Sequence, residues 1–296
     1  MEINFISKLN KAKYYSSPFP HWTIKKFFSD KELEIIDEHF PTCQEIIDAV
    51  PIRKNKIIKT QNTAYPIEFD ELENLNKDSS VLGLIANCWK SQKQEVLDFL
   101  KKFDFAINLD QLIFDGNNVE ARGDFRAATP ASISGTTQLG PHLDKNFEIL
   151  AGLIYLRKNE DNTVGGDLDL YKLKENAPYK YASNRLRVPV RYLDKLKTIK
   201  YTNNSAVFFI SHPLAIHGVT PRSVGTFERR LINFSLELDS AGSLKMFDTN
   251  KIIDPSLSPK KKKLSIYKRI LKKIGFNVQL KSHKYGRYKW QKFEDL

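Results

Sequence analysis

Apolar and polar positions divide this chain into segments of different period. Phe147 to Leu156 reads FEILAGLIYL, a nearly continuous apolar and β-branched run of strand length, which predicts a strand buried on both faces. Gly165-Gly166 then turn the chain into Asp167-Leu168-Asp169-Leu170-Tyr171, whose alternation predicts a half-buried strand. Ala206 to Ile210 (AVFFI) reads as a further core strand. Upstream, Val81 to Trp89 and Glu95 to Phe103 carry apolar residues at helical spacing, and Ile57 to Tyr65 fits a strand or a loop. Leu109 to Ile133 predicts strands broken by a turn at Asp115-Gly116-Asn117-Asn118. Nearer the start, Ser29 with Glu32 forms a capping box for a helix that follows. Strands dominate the middle of the chain and helices precede them.

Charge changes this picture at one end only. Lys260 to Leu296 holds thirteen Lys or Arg against two acidic residues, which accounts for eleven of the formal net +12. Pro259 to Ile274 predicts a helix with Leu264, Tyr267, Leu271 and Ile274 on one side, lysines around the rest and Gly275 as its stop. A basic amphipathic helix suits a docked solvated element, an anionic membrane surface or nucleic acid phosphates. Nucleic acid ranks last, because Tyr285, Tyr288 and Trp290 alternate with basic residues without forming a known nucleic-acid module. Two cysteines, Cys43 and Cys88, point to a reducing compartment without a disulfide framework. Met1 to Lys13 lacks the apolar run of a signal peptide, and no stretch reaches the length of a membrane span, so the expected location is cytoplasmic, with peripheral contact at the inner face of a membrane through residues 259–292.

The candidate chemistry lies between the strands. His142 and Asp144 are two apart, so on an extended segment both side chains point to one face. His217 follows 75 positions later and must come from a distant strand, which suits a rolled β-sandwich. Two neutral imidazoles and one carboxylate form the facial triad of non-heme Fe(II) oxygenases and leave positions open for a cosubstrate and O2. A cupin site would use a His-x-His pair, which the chain lacks; zinc would want Cys or a helical His pair, and neither cysteine has a His at ligand spacing. There is also no Walker-type loop and no Gly-x-Gly-x-x-Gly after a strand.

In order along the chain, Ser17-Pro18-Phe19-Pro20-His21-Trp22, Pro141-His142-Leu143-Asp144, the Gly165-Gly166-Asp167-Leu168 turn and His217-Gly218-Val219-Thr220-Pro221-Arg222 resemble the Fe(II)/2-oxoglutarate-dependent oxygenases, specifically their prolyl-4-hydroxylase-like branch. The resemblance covers roughly residues 18 to 240. It implies an α+β, mainly β fold, with a double-stranded β-helix (jelly roll) core at 106–240 and an N-terminal strand and helical support region at 1–105, to which the charge pattern adds a basic helical C-terminal extension at 241–296. It also implies Fe(II) bound by His142, Asp144 and His217, with 2-oxoglutarate and O2 as cosubstrates. Halogenating relatives have a small residue in place of the carboxylate; with Asp144 present, hydroxylation of a C–H bond is the expected outcome.

The family further implies an Arg after the second His that pairs with the distal carboxylate of 2-oxoglutarate, a task suited to a planar guanidinium that stays charged. Arg229 and Arg230 both stand near that place. If Arg229 faces inward, so do Leu231, Asn233 and Ser235, while Ile232, Phe234 and Leu236 pack under the N-terminal helices, so Arg229 is favoured. Tyr155 matches a tyrosine that bonds the same carboxylate, though it also reads as an ordinary core tyrosine. Arg122 and Arg126 share one face of an extended segment and are candidate contacts to an anionic substrate, or else solvated charges on a sheet edge.

Fold does not select a substrate. The basic tail suits an anionic lipid-linked glycan, and Kdo 3-hydroxylases, which act on a lipid A precursor, are similar in overall plan. Peptidyl-prolyl and small-molecule biosynthetic hydroxylases are the alternatives within the class. Outside it stands a non-enzymatic β-sandwich binding module that works through its basic tail.

Overall fold

A computed structural model describes residues 3–50, 64–103, 119–131, 140–144, 148–175, 177, 188–211 and 214–238, together with two short strands at 276–279 and 289–292. The expected helix over 259–274, the turn at 115–118 and most of the 57–65 segment lie outside the described residues.

The chain begins with helix α1 (Phe5–Asn10) and strands β1 (Lys13–Tyr15) and β2 (His21–Lys25). Helix α2 (Asp30–His39) starts on the Ser29/Glu32 capping box read from the sequence. Helix α3 (Cys43–Ala49) has the same device at Thr42 and Glu45, a signal the periodicity reading passed over. Strand β3 (Ala64–Glu68) precedes helices α4 (Ser80–Ser91) and α5 (Lys93–Lys101), where helical spacing predicted two helices. Eight extended segments follow: β4 (Val119–Ala128), a bridge at His142, β5 (Glu148–Tyr155), β6 (Leu168–Leu173), β7 (Leu193–Ile199), β8 (Ser205–Ile210), β9 (Ile216–Val219) and β10 (Arg229–Leu238). In the tail, β11 (Phe276–Gln279) pairs antiparallel with β12 (Lys289–Lys292).

These segments make two antiparallel sheets, a major one in the order β1-β2-β8-β5-β10-β4-β3 and a minor one in the order β7-β6-β9, to which His142 is bridged. The fold is a jelly roll, mainly β. Period-two alternation sorts the major sheet between two cores. Ile154, Phe208, Ile232, Phe234 and Leu236 bury against Phe5, Ile36, Leu82, Ile85 and Trp89 of the helices. From the other face, Ala151, Tyr155, Val207, Phe209 and Leu231 meet Leu168 and Leu170 of the minor sheet. Arg229 therefore faces the space between the sheets, on the side of Leu231, and Arg230 faces the helices.

His21 lies fully buried near the edge of the sandwich. Its Nδ1 donates to the Phe19 carbonyl (2.8 Å), and its Nε2 lies 3.0 Å from Lys197 Nζ. Burial pushes its pKa down to about 4, from the usual 6.5, with the Phe19 carbonyl opposing and Lys197 adding to the drop. Because the folded pKa is the lower one, the unfolded chain binds more protons between these values. Stability held at neutral pH is then lost as pH falls from 6.5 toward 4, by up to about 3 kcal/mol from this group. Urea midpoints at pH 7 and pH 4.5 are expected to differ less in His21→Asn than in the wild type; an equal difference would remove His21 as the cause.

Candidate active site

The triad is assembled by backbone pairing. His142 N donates to His217 O (2.8 Å) and His217 N to His142 O (3.1 Å), so the two histidines sit opposite each other and their ring centroids are 4.4 Å apart. Each ring is then fixed by its own chain: His142 Nδ1 is 2.8 Å from Gly140 O, and His217 Nδ1 is 3.0 Å from Ala215 O. A carbonyl only accepts, so Nδ1 carries a proton in both rings, and Nε2 is the atom left to face a metal. Both Nε2 atoms point to Asp144: His142 Nε2 is 3.6 Å from Oδ1 and His217 Nε2 is 3.4 Å from Oδ2. One ligand atom from each of the three residues falls within 4.8 Å of the others, the only such grouping of His, Cys, Asp and Glu among the described residues. Burial lowers the pKa of His217, with Asp144 opposing, which favours the neutral imidazole a metal needs. Phe209 packs its ring 4.7 Å from that of His217. Two imidazoles and one carboxylate suit a divalent transition metal with positions left open.

Arg229 is buried at 3% exposure. Its Nε donates to Gly166 O (2.9 Å), and its guanidinium lies 5.3 Å from the Tyr155 ring and 5.0 Å from the Tyr201 ring. No carboxylate pairs with it among the described residues, and burial lowers its pKa. The Tyr155 hydroxyl is buried with no hydrogen-bond partner, and burial pushes its pKa up to about 12. A buried cation without a counter-ion beside an unpartnered hydroxyl fits an anionic group such as a carboxylate. Arg230 is used elsewhere: it pairs with Asp37 of α2 and lies over Phe40.

The Gly165-Gly166 turn makes this arrangement possible. Both glycines have positive φ, +90° and +75°. A Cβ on Gly165 would collide with the Pro221 carbonyl, and one on Gly166 would press on Arg229 Cδ and Nε at 3.2 Å. Gly165→Ala is expected to cost about 3 kcal/mol from left-handed strain and the clash, and to displace the carbonyl that holds Arg229. Denaturant midpoints read the first effect and 2-oxoglutarate affinity the second.

Arg122 and Arg126 sit on the inner face of β4, opposite Ser235 and Leu231. Each is paired with the carboxylate two residues before it. Arg122 bonds Glu120, and Arg126 bonds Asp124 through Nε (2.9 Å) and Nη2 (2.7 Å). Asn233 Nδ2 also donates to Asp124 (3.1 Å). The alternation of acid and base at 120, 122, 124 and 126 carried this signal, since neighbours two apart on a strand share a face. The sequence reading did not single out Arg222, Asp161 or Arg157, which form a buried network beside Arg229.

The fold and site are those of a non-heme oxygenase. Residues 129–236, a stretch that includes His142, Asp144 and His217, match the family model described as 2OG-Fe(II) oxygenase superfamily, and this match together with the triad supports an oxygenase enzyme that uses Fe(II), 2-oxoglutarate and O2. A non-catalytic binding module is thereby set aside. Similar solved structures include a Pseudomonas putida prolyl-4-hydroxylase (13% identity, 78% of this chain and 96% of that one, TM-score 0.41). A viral collagen prolyl hydroxylase from Paramecium Bursaria Chlorella virus-1 is also similar (16% identity, 73% and 94%, TM-score 0.36). No curated protein matches the chain in sequence. No helix among the described residues is long and apolar enough to cross a membrane.

Proposed function

We propose that His142, Asp144 and His217 hold the Fe(II), that Arg229 and Tyr155 hold the distal carboxylate of 2-oxoglutarate, and that the enzyme hydroxylates a C–H bond of a polar organic substrate lying along the inner face of β4. The observation that carries this reading is the convergence of the three ligand atoms within 4.8 Å, with both imidazoles turned Nε2 inward by backbone carbonyls. When bound, iron and 2-oxoglutarate supply oxidative decarboxylation to succinate and CO2 coupled to oxygen insertion. The protein's part is to turn both Nε2 atoms inward, to orient the cosubstrate by a charge-assisted hydrogen bond from Arg229, and to exclude water from that end with the Tyr155 and Tyr201 rings.

The β4 wall bears on the substrate. Arg122 and Arg126 bring their own counter-ions, so the wall presents fixed hydrogen-bond donors without an uncompensated positive charge. This favours a polar substrate, peptidyl or small, over a strongly anionic lipid-linked sugar such as Kdo. The test is succinate release from 2-oxoglutarate with panels of amides, amino acids and phosphosugars. Stimulation by neutral or zwitterionic compounds supports the reading, and stimulation confined to polyanionic glycolipids overturns it.

A further inference from the structure

Arg222 is more deeply buried than any other arginine of the described chain, at 1% exposure. Its Nε donates to Thr163 Oγ1 (3.0 Å) and its Nη2 to Asp161 Oδ2 (2.9 Å), whose side chain is fully buried. Nη1 is buried and has no partner. In a guanidinium, Nε–H and one N–H of Nη2 leave along the same edge, so Thr163 and Asp161 occupy that edge and Nη1 lies on the other, the side of Cδ. Gly166 packs against the stem of Arg222: a Cβ built there would lie 3.6 Å from Arg222 Cδ and 3.2 Å from Arg229 Cδ and Nε. The small residue at 166 thus stands between the stems of two arginines.

The surroundings hold more positive than negative charge. Arg157 lies 5.6 Å from the Tyr201 ring and donates to the Asp161 and Thr163 carbonyls. Arg229 lies 5.0 Å from the same ring. Asp161 is the buried carboxylate that Arg157 and Arg222 share. Asp167 is already engaged, by Lys200 Nζ (2.9 Å) and Tyr201 N (2.8 Å). A buried N–H left unpaired costs roughly 1–3 kcal/mol, so an idle Nη1 beside an uncompensated Arg229 calls for a shared acceptor. One carboxylate has about four acceptor positions and serves donors from two guanidiniums and a hydroxyl at once.

We infer that Arg222 is a second donor to the anion held by Arg229, so that the acid end of the cosubstrate is gripped through Arg222 Nη1, Arg229 and the Tyr155 hydroxyl together. This rests on the cosubstrate reading of Arg229. Asp161 balances the charge of Arg222, so Arg222 contributes direction and reach. Where the 2-oxo acid end is held at the triad, the pocket then discriminates by length, because a 2-oxo diacid one methylene shorter leaves the buried donors unpaired.

A purely structural role would have Arg222 tie the 161–167 segment to the 220–225 segment. The backbone already does this, through Gly166 N to Thr220 O, Thr220 N to Asp167 O and Ser223 N to Val164 O. The test is calorimetric titration of succinate into the metal-free full-length chain, which reads the acid pocket without chelation or turnover. Arg222→Lys keeps a positive charge for Asp161 but has no nitrogen on the opposite edge. It is expected to bind succinate about tenfold more weakly with an unchanged unfolding midpoint. Asp161→Asn, which leaves the charge of Arg222 unbalanced, is expected to bind succinate more tightly; unchanged or weaker binding in that variant counts against the inference. If Arg229→Gln abolishes succinate binding and Arg222→Lys leaves it intact, the cosubstrate reading stands and Arg222 is only a tie. If wild type and both arginine variants all fail to bind succinate, the reading of Arg229 falls and the inference with it.

Discussion

Asp144→Ala is expected to abolish hydroxylation while leaving the fold intact. In the proposed site the carboxylate is the one anionic ligand, and its removal would leave two imidazole nitrogens facing a divalent ion. Partners that merely orient a metal ligand are worth 10–100-fold in affinity or activity, so loss of the ligand itself is expected to exceed about 100-fold in metal affinity. The fold is expected to survive because Asp144 is 22% exposed and lies outside the named strands. The bridge between His142 and His217 is made by backbone groups that the substitution does not touch. Anaerobic titration with Mn(II) as a redox-inert stand-in reads the affinity, and far-ultraviolet circular dichroism reads the fold. Wild-type metal affinity in the variant would remove Asp144 from the ligand set.

The second large effect is expected at Arg229, and its two parts have opposite signs. In the metal-free protein this guanidinium is buried, with a backbone carbonyl as its hydrogen-bond acceptor and two aromatic rings beside it. Burying a charge without a counter-ion is costly, and replacing buried charge by apolar groups of similar size is often neutral or stabilising. Arg229→Met is therefore expected to hold or raise the stability of the metal-free chain, by about 1 kcal/mol, where most buried truncations lower it. The same change is expected to weaken 2-oxoglutarate binding by at least about 30-fold, because truncating one partner of a buried charge pair costs about 2–5 kcal/mol. Thermal unfolding with and without 2-oxoglutarate reads both parts. A variant that loses more than about 2 kcal/mol without ligand, or that is still stabilised by 2-oxoglutarate as the wild type is, would contradict this account of Arg229.

The sequence made visible what depends on short-range order. Period two placed His142 and Asp144 on one face and separated Arg229 from Arg230, because side chains alternate on any extended segment whatever its partners. The capping box at Ser29 and the apolar spacing of α4 and α5 are likewise local. What stayed hidden depends on closure in three dimensions. Arg222 meets Asp161 across 61 positions and His21 meets Lys197 across 176, and these contacts exist only once the sheets have paired in register. The Glu120-Arg122-Asp124-Arg126 ladder is an intermediate case. Its pairs were legible two residues apart, yet its place on the inner wall follows from the register of β4 against β10. The breadth of the sheet was legible only in part: an N-terminal strand was expected where β2 stands, but β1 and β3 join the major sheet by hydrogen bonds that leave little trace in short, half-exposed segments.

In the proposed site Fe(II) and 2-oxoglutarate are held together, through the triad at one end and Arg229 at the other. The measurement that tests it most directly is anaerobic titration of the purified protein with Fe(II) and 2-oxoglutarate, following the weak visible charge-transfer band of the chelated complex in wild type, Asp144→Ala and Arg229→Gln. A band is expected in the wild type that needs both additions, that is lost in Asp144→Ala, and that in Arg229→Gln forms only at much higher 2-oxoglutarate. No band in the wild type, or a band indifferent to both substitutions, would contradict it.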